Sequence, residues 1–329
     1  MQVVGLSCGN GGKEGRDFVD RVFKPYLQDF LVAEGEDAGV FKAKGTTAVS
    51  TDSFVIDPPI FKGGDIGKLC VCGSANDVAM GGARPEYLSM GFILEEGLEI
   101  KLLQQILSSI KEQLHLGGLK LLSLDTKVVP RGCVDKIFIN TTALGPVLYP
   151  NLSAKNLKEG QTIIVSGSVG THGALIFAQR AEVQLNTPLK SDCRQLFPLL
   201  EPIFKSGCKL HALRDATRGG LASVLHEWAQ SSGVGIEVEE EKIPILEGVR
   251  GVCEILGLEP YVLANEGMCV LGVEAGDAPK ICALLQEGGA KEARIIGQVV
   301  GGCGVSLKTP WGSKRPLDML EGELLPRIC

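Results

Sequence analysis

Apolar and polar positions alternate along this chain in two rhythms, one helical and one of strands. The clearest helical stretch has Leu103, Ile106, Ile110 and Leu114 at i, i+3, i+7 and i+11, which lines one face of a helix. A shorter one, Phe18, Val22, Tyr26 and Leu27, follows a glycine loop near the start. Residues 66–80 predict a third helix, in which Cys70, Cys72, Gly73, Ala75 and Ala79 permit close packing. Strands are predicted at Ala48–Ser50, stopping at Thr51-Asp52, at Tyr87–Leu94, and near 119–125 and 134–144. Farther on, a strand at Ile163–Ser166 leads through G-S-V-G-T-H-G into a helix from about Ala174. Helices at Cys193–Lys205, Leu221–Gln230 and 277–287 then alternate with strands near 234–239, 268–274 and 294–300.

Strands interleaved with helices in both halves predict an α/β, or mixed α+β, chain. Gly145-Pro146 and the polar stretch 150–160 mark a boundary, giving one domain over 1–150 and another over 151–310. Trp311–Cys329 has no clean period and is expected to be a tail. Its Pro326 predicts an extended Arg327-Ile328-Cys329 able to thread into a narrow opening.

Composition narrows the function classes. The 329 residues are 44% hydrophobic and 22% charged, enough for two ordinary cores. Net charge is −6 with no block of basic residues, so no nucleic-acid partner is expected. No apolar run reaches the ~18 residues of a membrane span, and the start lacks a signal-peptide core. A cytoplasmic protein is expected. The 43 glycines, nearly twice the usual share of roughly 7%, predict tight turns and close backbone approaches. Eleven cysteines, with no C-x-x-C pair, give no disulfide framework and suit small buried hydrophobes. Cys329 differs, because it is the last residue of the sequence.

The common nucleotide motifs are absent. Gly12-Lys13 precedes Glu14 and Gly67-Lys68 precedes Leu69, where a Walker loop needs Ser or Thr, and no G-x-G-x-x-G opens a helix. Four acids offer another design: Asp52 in S-T-D-S, Asp77 in G-S-A-N-D-V, Asp125 in S-L-D-T-K-V and Asp215 in R-D-A-T-R-G-G. Each sits beside hydroxyl or amide groups at the expected end of an element, and each alone reads more readily as a cap or turn residue than as a ligand. Together they suit oxygen ligation of Mg²⁺ under a polyphosphate. Gly9-Asn10-Gly11-Gly12 has the makings of a backbone phosphate cradle, or is a plain lead into the first helix. Lys127 is a cation two residues from Asp125, or an ordinary solvated lysine; Glu266 in A-N-E-G-M is a lone acid at a turn.

The segments G-N-G-G-K-E, S-T-D-S-F-V-I-D-P, G-S-A-N-D-V-A, D-T-K-V-V, R-D-A-T-R-G-G, A-N-E-G and the terminal P-R-I-C, in this order, resemble the hydrogenase maturation HypE family. That family is part of the wider superfamily of aminoimidazole ribonucleotide synthetase. The resemblance covers essentially the whole chain, with one departure: Leu124 stands where the family usually has Gly before Asp125. It implies a two-domain synthetase-like fold, a homodimer formed through the N-terminal domain, and ATP with Mg²⁺ at that domain. It assigns nucleotide contacts to Gly9, Asn10, Gly11, Gly12, Thr51, Asn76, Asp77 and Thr126, and metal contacts to Asp52, Asp77, Asp125 and Asp215. Lys127 and Glu266 are carried over as catalytic cation and base, with Cys329 as carrier. The implied reaction dehydrates an S-carbamoyl group on Cys329 to a thiocyanate, with HypF as carbamoyl donor and a HypC–HypD iron scaffold as cyanide acceptor.

Two other readings compete. A selenophosphate synthetase would place a reactive cysteine near Cys8, but gives no reason for P-R-I-C at the end. A non-catalytic scaffold would need neither Lys127 nor Glu266.

Overall fold

A computed structural model describes residues 2–9, 13–32, 38–43, 45–183, 188–319 and 327–329. The chain divides into two units, one of Met1–Val78, Ala83–Val147 and Cys329, the other of Ala79–Gly82 and Leu148–Ile328. The fold is mixed α/β in both.

In the first unit, helices Lys13–Phe18 (α1) and Lys24–Leu27 (α2) flank a π-helical turn, and Phe18, Val22 and Leu27 are buried as their spacing predicts. Strand Thr47–Phe54 (β1) is followed by a small hairpin, Ile60–Phe61 (β2) and Gly64–Asp65 (β3), and helix Ile66–Met80 (α3). Then come Tyr87–Glu95 (β4), Ile100–Gly117 (α4), Lys120–Val129 (β5) and Ile137–Pro146 (β6). The strands order β1-β6-β4-β5, and only β4 and β5, joined through α4, run parallel. Helix α4 buries its predicted face, Leu103, Ile106, Ile110 and Leu114, and stops at Gly118, whose left-handed backbone closes the last turn. Helix α3 is buried nearly all round, as its small residues allow, with Leu69, Cys70, Cys72 and Ala75 inside.

Two strands run longer than expected. β1 continues through Thr51 and Asp52 to Phe54, and β5 continues through Asp125 and Lys127 to Val129. Both acids therefore sit within strands rather than at their ends. Pairing with β6 and β4 carries the polar runs that read as turns in isolation.

Asp65 fixes the start of α3. Its carboxylate accepts the Lys68 N–H at 2.9 Å and the Ser109 hydroxyl at 2.5 Å, tying α3 to α4. Burial raises its pKa, and these two bonds oppose the rise. Asp65→Ala should lower stability by about 1–2 kcal/mol, the usual cost of a lost N-cap, seen as an earlier urea transition. An unmoved transition would show that the cap contributes nothing.

The second unit opens with Thr162–Val165 (β7) and Thr171–Arg180 (α5), followed by Phe197–Lys205 (α6), Leu210–Asp215 (β8) and Gly220–Ser232 (α7). It continues with Gly235–Glu239 (β9), Glu247–Leu256 (α8), Cys269–Val273 (β10), Ala278–Glu287 (α9), Arg294–Val300 (β11), Gly304–Lys308 (β12) and Lys314–Pro316 (β13). Its sheet orders β13-β12-β9-β11-β7-β10-β8 and is antiparallel except where β12 meets β9. Leu199, Leu200, Ile281 and Leu285 from α6 and α9 build one core cluster; Leu225 and Trp228 of α7 belong to another.

Three expectations change here. Helix α6 starts at Phe197, not Cys193. Helix α8 went unpredicted because Gly248 and Gly251 interrupt it, although Val249, Val252 and Cys253 keep helical spacing and are buried. The segment read as a tail from Trp311 supplies β13, which pairs with β12 and puts Lys314 against Glu237. Among the described residues, no helix is long and apolar enough to cross a membrane.

Candidate active site

The pleat of the first sheet sorts its polar residues onto two faces. Asp52 pairs across with Thr141, which pairs with Met90, and Thr141 and Met90 are buried. Asp52 therefore points toward the helices. There the Ser74 hydroxyl lies 3.4 Å from the Asp52 carboxylate and 2.6 Å from the Thr141 hydroxyl, which donates to the Cys70 carbonyl at 3.0 Å. The Ser50 hydroxyl donates to Asp77 at 2.6 Å. Two strand residues and two helix residues thus bring two carboxylates into one hydroxyl-lined strip between β1 and α3. Asn76, beside Asp77, is buried.

Asp125 occupies the opposite face. It pairs with Gly91, which pairs with Asn140, and its row ends at Ser53. Lys127, two residues on, shares that face and holds both Asp125 oxygens at 2.7 Å. Thr51 lies there too, accepting the Thr142 hydroxyl at 2.9 Å and donating to the Thr141 carbonyl at 3.1 Å. Thr126 returns to the helix side. The outer face is open, with Val49 67% and Ile93 40% exposed.

In the second unit the A-N-E-G turn is clamped by Asp192. Its carboxylate accepts the Asn265 amide at 2.8 Å and the N–H groups of Glu266 and Gly267, each at 3.1 Å. Asn265 in turn accepts the Gly170 N–H at 2.7 Å and donates to the Ser168 carbonyl at 2.8 Å, joining the turn to the loop that opens α5. Gly267 is required, because a Cβ there would stand 1.8 Å from the Asp192 carbonyl oxygen. Glu266 is only 3% exposed, so it is not the surface turn residue that sequence alone allows. A cavity of about 310 Å³ has Asp192, Arg194, Gly267 and Met268 in its wall. Asp215 ends β8, buried, as the cross-strand partner of Cys269.

The chain's last residues are held through their main-chain oxygens. Arg180 donates to the Arg327 carbonyl at 2.5 Å, His172 Nε2 lies 2.9 Å from the Ile328 carbonyl, and the Val55 N–H donates to a main-chain carboxylate oxygen of Cys329 at 2.9 Å. A carbonyl only accepts, so His172 carries its proton on Nε2. Its Nδ1 then accepts from the Ser191 hydroxyl at 2.7 Å, and the Ser191 oxygen accepts the Cys193 N–H at 3.1 Å. Burial holds the imidazole pKa below the usual histidine range, opposed by the Ile328 carbonyl and the Asp192 charge. The expectation of an extended end fails at Arg327, whose φ of +56° is left-handed. Such a bend costs a non-glycine residue about 1–2 kcal/mol, and the charged bond from Arg180 offsets it.

Two other thiols are held back from ionising. Burial pushes Cys269 up to about 12 and Cys253 up to about 11. Cys8 is buried in the short 3-10 helix Leu6–Gly9.

Residues 35–147 match the N-terminal domain, and residues 158–309 the C-terminal domain, of AIR synthase related proteins. Over 337 aligned positions covering all of both chains, the sequence is 43% identical to carbamoyl dehydratase HypE of Escherichia coli K12. The chain belongs to the HypE carbamoyl dehydratase family. It is therefore an enzyme of hydrogenase maturation. A solved HypE in complex with ATP superposes with a TM-score of 0.95 at 39% identity, covering 99% of each chain. A HypE from a solved HypE–HypF complex superposes at 0.82 with 40% identity, covering 94% of this chain and 100% of that one.

Each unit carries its own share of the sequence-derived site residues. Asp52, Asp77, Ser50 and Ser74 converge, Asp125 and Lys127 pair on the other face, and Asp215 and Glu266 belong to the second unit. Gly9 ends a 3-10 helix, while Asn10, Gly11 and Gly12 lie outside the described residues. Within the first unit Asp52 and Asp125 point to opposite faces of one sheet, and among the described residues no group of three or more His, Cys, Asp or Glu suited to a metal occurs. Mg²⁺ on a nucleotide needs less, since it takes one or two carboxylates and fills its shell with phosphate oxygens and water. Asp52 and Asp77 fit that demand. Sequence reasoning missed Asp192, Asn265 and His172. The H in G-S-V-G-T-H-G was the available signal, but its partner Ile328 is 156 residues away.

Proposed function

We propose that this chain uses ATP to dehydrate an S-carbamoyl group on Cys329 to an S-cyano group, and that the cyanide passes to the iron of a [NiFe]-hydrogenase precursor. The observation that carries this reading is the placement of the chain's end, Arg327–Cys329, by specific hydrogen bonds from buried and half-buried groups. The solved relatives with ATP and with HypF support nucleotide use and HypF as a partner, which is the proposed carbamoyl donor. The HypC–HypD scaffold is the proposed cyanide acceptor, and the cytoplasm the proposed location. A homodimer through the first unit accords with the open sheet face, where Val49 and Ile93 stand in water on a single chain.

The chemistry follows from the amide. Its oxygen is a poor leaving group until it attacks the terminal phosphorus of ATP and releases ADP. The O-phosphorylated carbon then loses both N–H protons and phosphate, so that the C–O bond breaks as C≡N forms. Glu266 is the proposed base, and Lys127, on the outer sheet face with Asp125 and Thr51 and across the sheet from Asp52 and Asp77, is the cation carried over from the family. Asp52 and Asp77 would hold Mg²⁺, which neutralises triphosphate charge when bound. Asp125 and Asp215 are second candidates, and Thr51, Asn76 and Thr126 the proposed nucleotide contacts.

Asp77→Asn should weaken ATP binding about 10- to 100-fold, by loss of one charge-assisted contact, without unfolding the chain. Calorimetry with Mg²⁺ and ATP checks this, and wild-type affinity would remove Asp77 from the site. The reaction itself is tested by mass spectrometry of the carbamoylated C-terminal peptide. Loss of one water on adding ATP is expected, and an unchanged mass would leave only a scaffold role.

A further inference from the structure

We infer that His172 and Arg180 act as a gauge that sets the register of the C-terminal end through its main chain, placing the Cys329 sulfur by counting residues rather than by reading side chains. The inference rests on the carrier role proposed for Cys329. Both groups engage carbonyls of adjacent residues, Arg180 that of Arg327 and His172 that of Ile328. No side chain of the tail takes part in these two bonds.

The donors are set in place before the tail arrives. Cys193 N–H to Ser191 oxygen, and Ser191 hydroxyl to His172 Nδ1, form a relay that leaves the imidazole with its Nε2–H directed at Ile328. His172 is fully buried on α5, and Arg180 closes the same helix eight residues later. Two donors on one rigid helix give a fixed ruler. The left-handed bend at Arg327 turns two successive carbonyls toward it, which an extended strand, with carbonyls alternating in direction, does not do. A tail one residue longer or shorter would meet the ruler in the wrong register.

His172 and Arg180 are thus positioning residues, and their test must read the tail itself. The probe is the rate at which iodoacetamide alkylates Cys329 in the full-length protein, resolved by peptide mass spectrometry, with exposed Cys133 and Cys303 as internal references. Arg180→Ala and His172→Ala should each speed Cys329 alkylation on the order of tenfold, the loss of one buried hydrogen bond, with ATP affinity unchanged. His172→Gln should return the rate to within about threefold of wild type, because its amide can donate near the Nε2 position. Arg327→Pro should release the tail without altering any residue of the core, since proline cannot adopt a positive φ, whereas Arg327→Gly should keep it docked.

Wild-type rates in both His172→Ala and Arg327→Pro would overturn the gauge. So would a His172→Gln rate equal to that of His172→Ala, because volume rather than the Nε2 donor would then be at work. If His172→Ala fails to fold, Arg180→Ala and the two Arg327 variants decide. The two readings fail separately. Expected alkylation rates in a wild-type protein that never acquires a carbamoyl group would sink the carrier role alone, and unchanged rates in a protein that is carbamoylated normally would sink the gauge alone.

Discussion

Cys329→Ala should fold, bind ATP and leave incubation with the carbamoylation partner and ATP carrying neither a carbamoyl nor a cyano group. The expected effect is total, because no other cysteine meets the same demands. On the proposed route the carrier reaches a partner, then the reacting nucleotide, then a second partner, and a side chain fixed within an element cannot travel between them. Cys8, Cys70, Cys72 and Cys269 are buried in regular elements, and burial holds the Cys269 thiol up to about 12. Cys133 and Cys303 are exposed but lie in internal turns. Intact-mass spectrometry after the reaction checks the result, and a modification on any other cysteine ends the assignment. Adding one residue after Cys329 should impair the wild-type reaction as well. The Ile328 carbonyl and a Cys329 carboxylate oxygen are both engaged, and extension forces the end to find new room.

Glu266→Gln should keep ATP affinity and slow dehydration by about 10²- to 10⁴-fold, the range for loss of a positioned general base. Glutamine preserves the volume of a side chain that is 3% exposed, and the backbone clamp from Asp192 to the Glu266 and Gly267 N–H groups is untouched. What is lost is the capacity to accept a proton. The check is the rate of S-cyano formation from isolated carbamoylated protein in a single turnover with ATP. A normal rate would assign proton removal to another group. Lys127→Ala tests the complementary role, and its lysine is exposed and paired only with Asp125 among the bonds described, so the fold should tolerate the change.

Much of this was legible in one dimension. The α4 face needed only its spacing of apolar residues, since a helix repeats every 3.6 residues whatever it packs against. The P-R-I-C end and the ordered motifs carried the family, because chemistry fixes residue types at fixed local spacings. The strand limits were less legible. S-T-D-S reads as a turn by composition, yet it lies within β1, since cross-strand pairing with β6 outweighs local preference. The two glycines of α8 hid a helix that burial of Val249 and Val252 supports.

The sequence by itself determined which groups are available: the acids, Lys127, Glu266, a terminal thiol, and helices whose periodicity is intrinsic. Only the tertiary structure decided which of them face one another. Strand pleating sends Asp52 and Asp125 to opposite sides of one sheet, and the facing depends on register, which local sequence does not record. The clamp of Asp192 on Glu266 joins residues 74 apart, and the bond from His172 to Ile328 joins residues 156 apart. Such contacts exist only after the chain has closed those loops, because their geometry is a property of packed elements and not of neighbours along the chain.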